Sequence, residues 1–159
     1  TNFSYALEKP DIKNLILIKN PKIYESVIFK DINQKDVDLD DFNGKLVILN
    51  FWATWCAPCK EEMPSLDDLQ SNSDFSNLKI FPINIGQEEM SKSKFFFKEL
   101  NIQNLDIYID APITLAKKFS LRGVPTTILF NKQGREFARI MGSIDFNNEK
   151  FINWLKTYN

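Results

Sequence analysis

From Lys45 to Trp52 the chain is almost continuously apolar, with Leu46, Val47, Ile48, Leu49 and Phe51 broken only by Asn50. Such a run, without polar alternation, is expected of a strand buried on both faces of a mainly parallel sheet. It leads directly into Cys56-Ala57-Pro58-Cys59 and then into a helical pattern that ends near Ser71, with Met63, Leu66 and Leu69 on one face. Any fold for this chain has to be built around that junction of buried strand, dithiol turn and helix.

The rest of the sequence alternates in the same way. Tyr24 to Phe29 and Val37 to Leu39 read as short strands of a hairpin turned by Asn33 and Gln34. Ile80 to Ile85 is the next strand, followed by a helix over Ser91 to Leu100 that turns Phe96, Phe97 and Leu100 inward. Ile107 to Asp110 is a short strand, and Ile113 to Phe119 a short helix. Thr126 to Phe130 and Glu136 to Met141 form a second hairpin across the turn Asn131 to Gly134. A final helix spans Asn147 to Tyr158, with Phe151, Trp154, Leu155 and Tyr158 at helical spacing. Alternating strands and helices predict an α/β domain, a mixed sheet with helices on both faces. No repeat or low-complexity linker divides the chain. Residues 1–21 read as an N-terminal arm crossing the surface of a domain over 22–159, with Pro10 and Pro21 bracketing the apolar run Leu15 to Ile18.

Composition removes whole classes of function. The chain has 159 residues, enough for one ordinary core. It contains no histidine, which excludes histidine-ligated metal centres and serine–histidine or cysteine–histidine hydrolases from this chain acting alone. Its net charge of −1, with both signs interspersed, gives no field for nucleic acid or an anionic membrane surface. Unbroken apolar runs reach only four residues, against the roughly 20 that cross a bilayer. The first residue is Thr1 rather than Met, so something upstream is expected to have been removed, either by a signal peptidase or in the choice of the segment expressed.

Cys56 and Cys59 are the only cysteines. A loop that short stabilises little as a disulfide, so the pair is expected to serve chemistry. Placed where a strand meets a helix, the first sulfur sits at the helix N-terminus, where unpaired N–H groups and the macrodipole favour thiolate. Cys56 is then the exposed nucleophile, and Cys59, one turn further in, acts second. The spacing brings the sulfurs within bonding distance. Pro58 stiffens the first turn without losing a needed N–H. Three other readings stay open on the residues alone: half of an intermolecular zinc site, a Cu(I) site on two soft thiolates, and two inert core cysteines.

The segment Asn50-Phe51-Trp52-Ala53-Thr54-Trp55-Cys56-Ala57-Pro58-Cys59-Lys60-Glu61-Glu62-Met63-Pro64 resembles the active-site segment of thioredoxin-fold proteins of the TlpA/ResA type, and Gly123-Val124-Pro125-Thr126-Thr127 resembles their cis-proline loop. The resemblance runs from about Tyr24 to the last helix. It implies a thioredoxin-like mixed sheet flanked by helices, with an N-terminal hairpin and a central helix–strand insertion over about Gln87 to Asp110. It implies too that Pro125 is cis and packs beside Cys56, whereas the residues alone mark only a turn. A cis proline there leaves the Val124 backbone free to pair with an extended substrate. The shared Pro64 is expected to kink the helix.

Helical spacing places Cys59, Glu62, Met63, Leu66 and Leu69 on one face and turns Glu61 outward with Ser65 and Asp68. Glu62 is thus the acid expected beneath the dithiol, with a raised pKa and the ability to accept the Cys59 proton. The resemblance implies the same role. Plain thioredoxin has an Asp for that task at the position of Asn50, whose amide cannot perform it. Trp55 is expected to supply contact surface beside Cys56, together with Ala57, Pro58, Val124 and Pro125, and Trp52 to pack in the core.

These readings predict a thiol–disulfide oxidoreductase that mainly reduces protein disulfides and needs no bound cofactor or metal. The dipeptide Ala57-Pro58 lacks the histidine that strongly oxidising members of the fold often carry there. The resemblance further implies a periplasmic setting in a bacterium, a membrane thiol-transferring reductant as electron source, and targets among apocytochrome c or the copper-site proteins of cytochrome oxidase. A monomer, tethered by a missing N-terminal anchor, is the expected form. The alternatives are a copper-handling module that uses the same thiolates and a cytosolic thioredoxin.

Overall fold

A computed structural model describes residues 9–159. Its elements run in the order β1 (Leu15–Ile23), β2 (Ile28–Lys30), β3 (Asp36–Asp38), β4 (Leu46–Trp52), α1 (Ala57–Gln70), β5 (Leu78–Asn84), α2 (Met90–Glu99), β6 (Tyr108–Ile109), α3 (Leu115–Lys118), β7 (Thr126–Phe130), β8 (Arg135–Met141) and α4 (Glu149–Lys156). One eight-stranded sheet has the order β1-β8-β7-β4-β5-β6-β2-β3. β4, β5 and β6 are parallel neighbours, while β7 and β8 add antiparallel strands beside β4. This is the thioredoxin-like mixed sheet expected from the sequence, with the β2–β3 hairpin at one edge and the α2–β6 segment inserted before α3.

β4 lies at the centre because every one of its residues is buried. Strand alternation sends Leu46, Ile48 and Trp52 to one face, where they meet Met63, Leu66 and Leu69 of α1, Phe96 and Phe97 of α2, and Phe151, Trp154 and Leu155 of α4. Val47, Leu49 and Phe51 point to the other face and pack with Leu115, Phe119, Phe29 and Phe130. Asn50 shares the parity of Ile48 and Trp52, so its amide faces the α1 side of the sheet.

Part of the segment read as an arm is a strand. Leu15–Ile23 pairs antiparallel with β8, with Leu15 opposite Ile140 and Lys22 opposite Glu136, and the register shifts between Leu17 and Lys22. Proline is tolerated on an edge strand and at an irregularity, because no ladder partner there needs its missing N–H. Pro21 interrupted the sequence pattern without ending the strand. Residues 1–8 of the expected arm lie outside the described residues.

Candidate active site at the start of helix α1

β4 ends at Trp52, and four residues later Cys56 serves as the N-cap of α1. Its sulfur, in place of the usual hydroxyl or carboxylate oxygen, accepts the Cys59 N–H at 3.3 Å. Pro58 occupies the first turn, where its missing N–H costs nothing. α1 continues through Pro64, at which the Lys60 carbonyl lacks a helical donor. Cys56 and Cys59 are joined as a disulfide, with Cα atoms 5.3 Å apart.

The expectation of an exposed Cys56 needs correction. Only 4% of its surface is accessible, and Cys59 has none. The reason is the neighbouring loop: the Cys56 Sγ lies 3.6 Å from the Val124 carbonyl oxygen, beneath the Val124–Pro125 peptide. That peptide is cis. The surface beside the sulfur is instead supplied by Trp55, 71% exposed, and by exposed Ala57 and Pro58. Val124 is half-buried and Pro125 buried. The loop is fastened on both sides, since Thr126 Oγ1 donates to the Gly123 carbonyl and the Gly142 N–H to that of Pro125. Trp52 is fully buried and packs on Phe96 and Phe97.

Glu62 is buried, and Glu61 on the next position is exposed. Its Oε1 accepts from Asn50 Nδ2 at 2.9 Å and its Oε2 from the Ile144 N–H at 3.2 Å. Burial pushes its pKa up to about 7, against the opposing pull of those two hydrogen bonds, which favour the carboxylate. A cleft of about 310 Å³ lined by Glu61, Glu62, Ser65, Ser143, Ile144 and Asp145 connects it with solvent. A carboxyl poised near neutrality, one helical turn from Cys59 on the same buried face, can hold or release a proton.

Sequence reasoning assigned Asn50 no part in the site, treating it only as an amide that cannot take a proton. Its Nδ2 also donates to Thr127 Oγ1 at 3.0 Å, so it ties Glu62 to β7. The polar break in an otherwise apolar strand was the available signal. Glu88 was missed as well. Its carboxylate accepts from the Thr54 N–H and hydroxyl and from Asn84 Nδ2, bracing the turn before Trp55 from within the insertion. Burial pushes Glu88 upward, but the hydrogen bonds from Thr54 and Asn84 outweigh it and hold the carboxyl below its ordinary range. Among the described residues no cluster of three or more His, Cys, Asp or Glu side chains is arranged to hold a metal ion.

The AhpC/TSA family model matches residues 22–135, which include the dithiol, Glu62 and the cis-proline loop. The chain belongs to the AhpC/TSA family. Among curated relatives, the thiol-disulfide oxidoreductase ResA of Bacillus thuringiensis subsp. konkukian is 30% identical over 129 residues, covering 81% of this chain and 72% of the relative. ResA of Bacillus subtilis is 29% identical over 117 residues, covering 74% of this chain and 64% of that protein. The chain therefore spans slightly less than two thirds of the length of some ResA relatives, 64% and 65% for those of Bacillus subtilis and Bacillus cereus strain ZK. Solved structures agree on the fold. A DsbF homologue from Corynebacterium diphtheriae superposes with a TM-score of 0.75 at 24% identity, covering 94% of this chain and 96% of its own. StoA from Bacillus subtilis does so with a TM-score of 0.66 at 23% identity, covering 92% and 99%. This AhpC/TSA member thus carries the TlpA/ResA-type thioredoxin fold that its motifs resemble.

Proposed function

We propose that the protein is a thiol–disulfide oxidoreductase that mainly reduces protein disulfides. The observation that carries this reading is the disulfide between the helix-capping Cys56 and the fully buried Cys59, set against the Val124 carbonyl. The ResA relatives, named as thiol-disulfide oxidoreductases, support it.

In the reduced protein, the Cys56 thiolate attacks one sulfur of a substrate disulfide. The substrate S–S bond breaks, a mixed disulfide forms, and one substrate thiolate leaves. Cys59 passes its proton to the Glu62 carboxylate and attacks the Cys56 sulfur. The mixed disulfide breaks and the second substrate thiol departs. The substrate has gained two electrons, and the protein ends with the Cys56–Cys59 disulfide. Donors at the helix N-terminus make Cys56 the better thiolate for the first attack. Trp55, Ala57 and Pro58 provide contact surface, and Val124 beside Pro125 offers backbone to an extended substrate segment.

The same reading places the protein in the periplasm, where it draws electrons from a membrane thiol-transferring reductant and serves cytochrome c or copper-site maturation. A monomer tethered by an upstream anchor fits that role. No helix of the described residues is long and apolar enough to cross a membrane.

The test is a pair of single variants mixed with a disulfide-bonded peptide. Cys56→Ser is expected to abolish reduction. Cys59→Ser is expected to accumulate a covalent adduct visible by mass spectrometry and released by dithiothreitol. Stoichiometric Cu(I) retention by a wild-type protein that reduces no disulfide would overturn the reading in favour of a copper-handling module.

A further inference from the structure

A cavity of about 590 Å³ lies alongside the cis-proline loop, and its wall includes Leu121, Arg122, Val124, Pro125, Arg139 and Met141. Two guanidinium groups border it and no carboxylate does. The two differ in what their charge already faces. Arg139 Nε and Nη2 donate to the buried Glu136 carboxylate, and its Nη1 to the Phe119 carbonyl. That charge is neutralised and fixed. Arg122 is exposed and has no ion pair or side-chain hydrogen bond among the described residues. One uncompensated cation therefore stands over apolar walls, three residues from Pro125.

The cleft at Glu62 has the reverse sign. It is bordered by Glu61 and Asp145 and by no cation. The Val124 N–H has no partner among the described residues, so an extended segment can pair with it. Successive side chains of such a segment point to opposite sides. One that enters the cavity would rest its methylene stem on Val124, Pro125 and Met141 and bring its head to Arg122.

We propose that this cavity is a subsite for an Asp or Glu side chain next to the attacked cysteine of the substrate, and that Arg122 is the residue that selects it. A planar guanidinium matches a carboxylate in two parallel hydrogen bonds, a geometry that a lysine-bearing substrate cannot use and that its charge opposes. The proposal rests on the reading of Cys56 as a nucleophile toward protein disulfides.

The test uses two disulfide-bonded peptides, identical except for Glu or Lys beside the target cysteine, and the reduced full chain. Second-order reduction rates at low ionic strength are expected to favour the Glu peptide about fivefold, with the ratio shrinking as salt is added. Arg122→Glu is expected to invert the ratio. Lys150→Glu, an equal change of net charge on the exposed face of α4, is expected to preserve it. Equal rates for the two peptides, or a ratio that Arg122→Glu leaves unchanged, would overturn the subsite. Reduction of neither peptide would instead overturn the disulfide-reductant reading, and the subsite with it.

Discussion

Asn50 Nδ2 donates to Glu62 Oε1 at 2.9 Å, and neither side chain has appreciable contact with solvent. A neutral amide at the centre of the sheet thus holds the carboxyl that sits behind the dithiol. A carboxylate in place of Asn50 would repel Glu62. The amide instead lets Glu62 ionise at a cost set mainly by burial, so its pKa lies at about 7, above the 4.5 of an exposed glutamate.

That shift has a sign for stability. Between pH 4.5 and about 7 the native state holds a proton on Glu62 that the unfolded chain has released, so stability falls as pH rises through that window. Below it both states are protonated, and the contribution is fully retained. The loss amounts to about 3 kcal/mol. Urea unfolding of the oxidised protein at pH 4.5, 6 and 8 is expected to show this decline, and Glu62→Gln to flatten it. An equal decline in both proteins would place the effect elsewhere.

The same residue is expected to govern the second chemical step. With Glu62→Gln the Cys59 proton has no nearby acceptor, so resolution of the mixed disulfide slows by about 100-fold. The first attack by Cys56 is expected to change far less. Stopped-flow tryptophan fluorescence with a disulfide peptide separates the two phases, and an unchanged slow phase with an unchanged pH profile would remove Glu62 from the mechanism.

The two tryptophans before Cys56 are expected to behave oppositely. Trp52 is fully buried against Phe96 and Phe97, so Trp52→Ala costs about 3–5 kcal/mol of stability. Trp55 is 71% exposed, so Trp55→Ala leaves Tm within a few degrees and raises KM for peptide disulfides. Thermal unfolding and peptide-reduction kinetics on the two variants check both statements.

Much of this was legible because the signals are local. The apolar density of Leu46–Trp52 fixed a central strand, the thiol spacing fixed the helix start, and the face shared by Cys59, Met63 and Leu66 buried Glu62. What escaped depends on partners far along the chain. Leu15–Ile23 becomes a strand only through pairing with β8, and Pro21 hid it. Asn50 acts through Thr127 on β7, and the fastening of Cys56 under Val124 depends on a loop 68 positions away. Placing Cys56 at the start of a helix reports on one element at a time, so it predicted an accessible sulfur where packing against the Val124 loop covers it.

Glu88 reaches Thr54 across 34 positions. Removing its carboxylate in Glu88→Ala leaves the Thr54 N–H unpaired in a half-buried turn, at a cost of about 1–3 kcal/mol. A lowered Tm with faster amide exchange at Thr54 and Trp55 is the expected outcome, and exchange unchanged at those amides would show that the brace does not hold the turn.

The claim that electrons flow from this dithiol to its substrates is tested most directly by the reduction potential of the Cys56–Cys59 couple, equilibrated in glutathione buffers and read by thiol trapping. A value near or below about −220 mV, in the range of glutaredoxins and thioredoxin, is the predicted result. A value near about −120 mV, that of the strong oxidant DsbA, would reverse the direction and make the protein a disulfide donor.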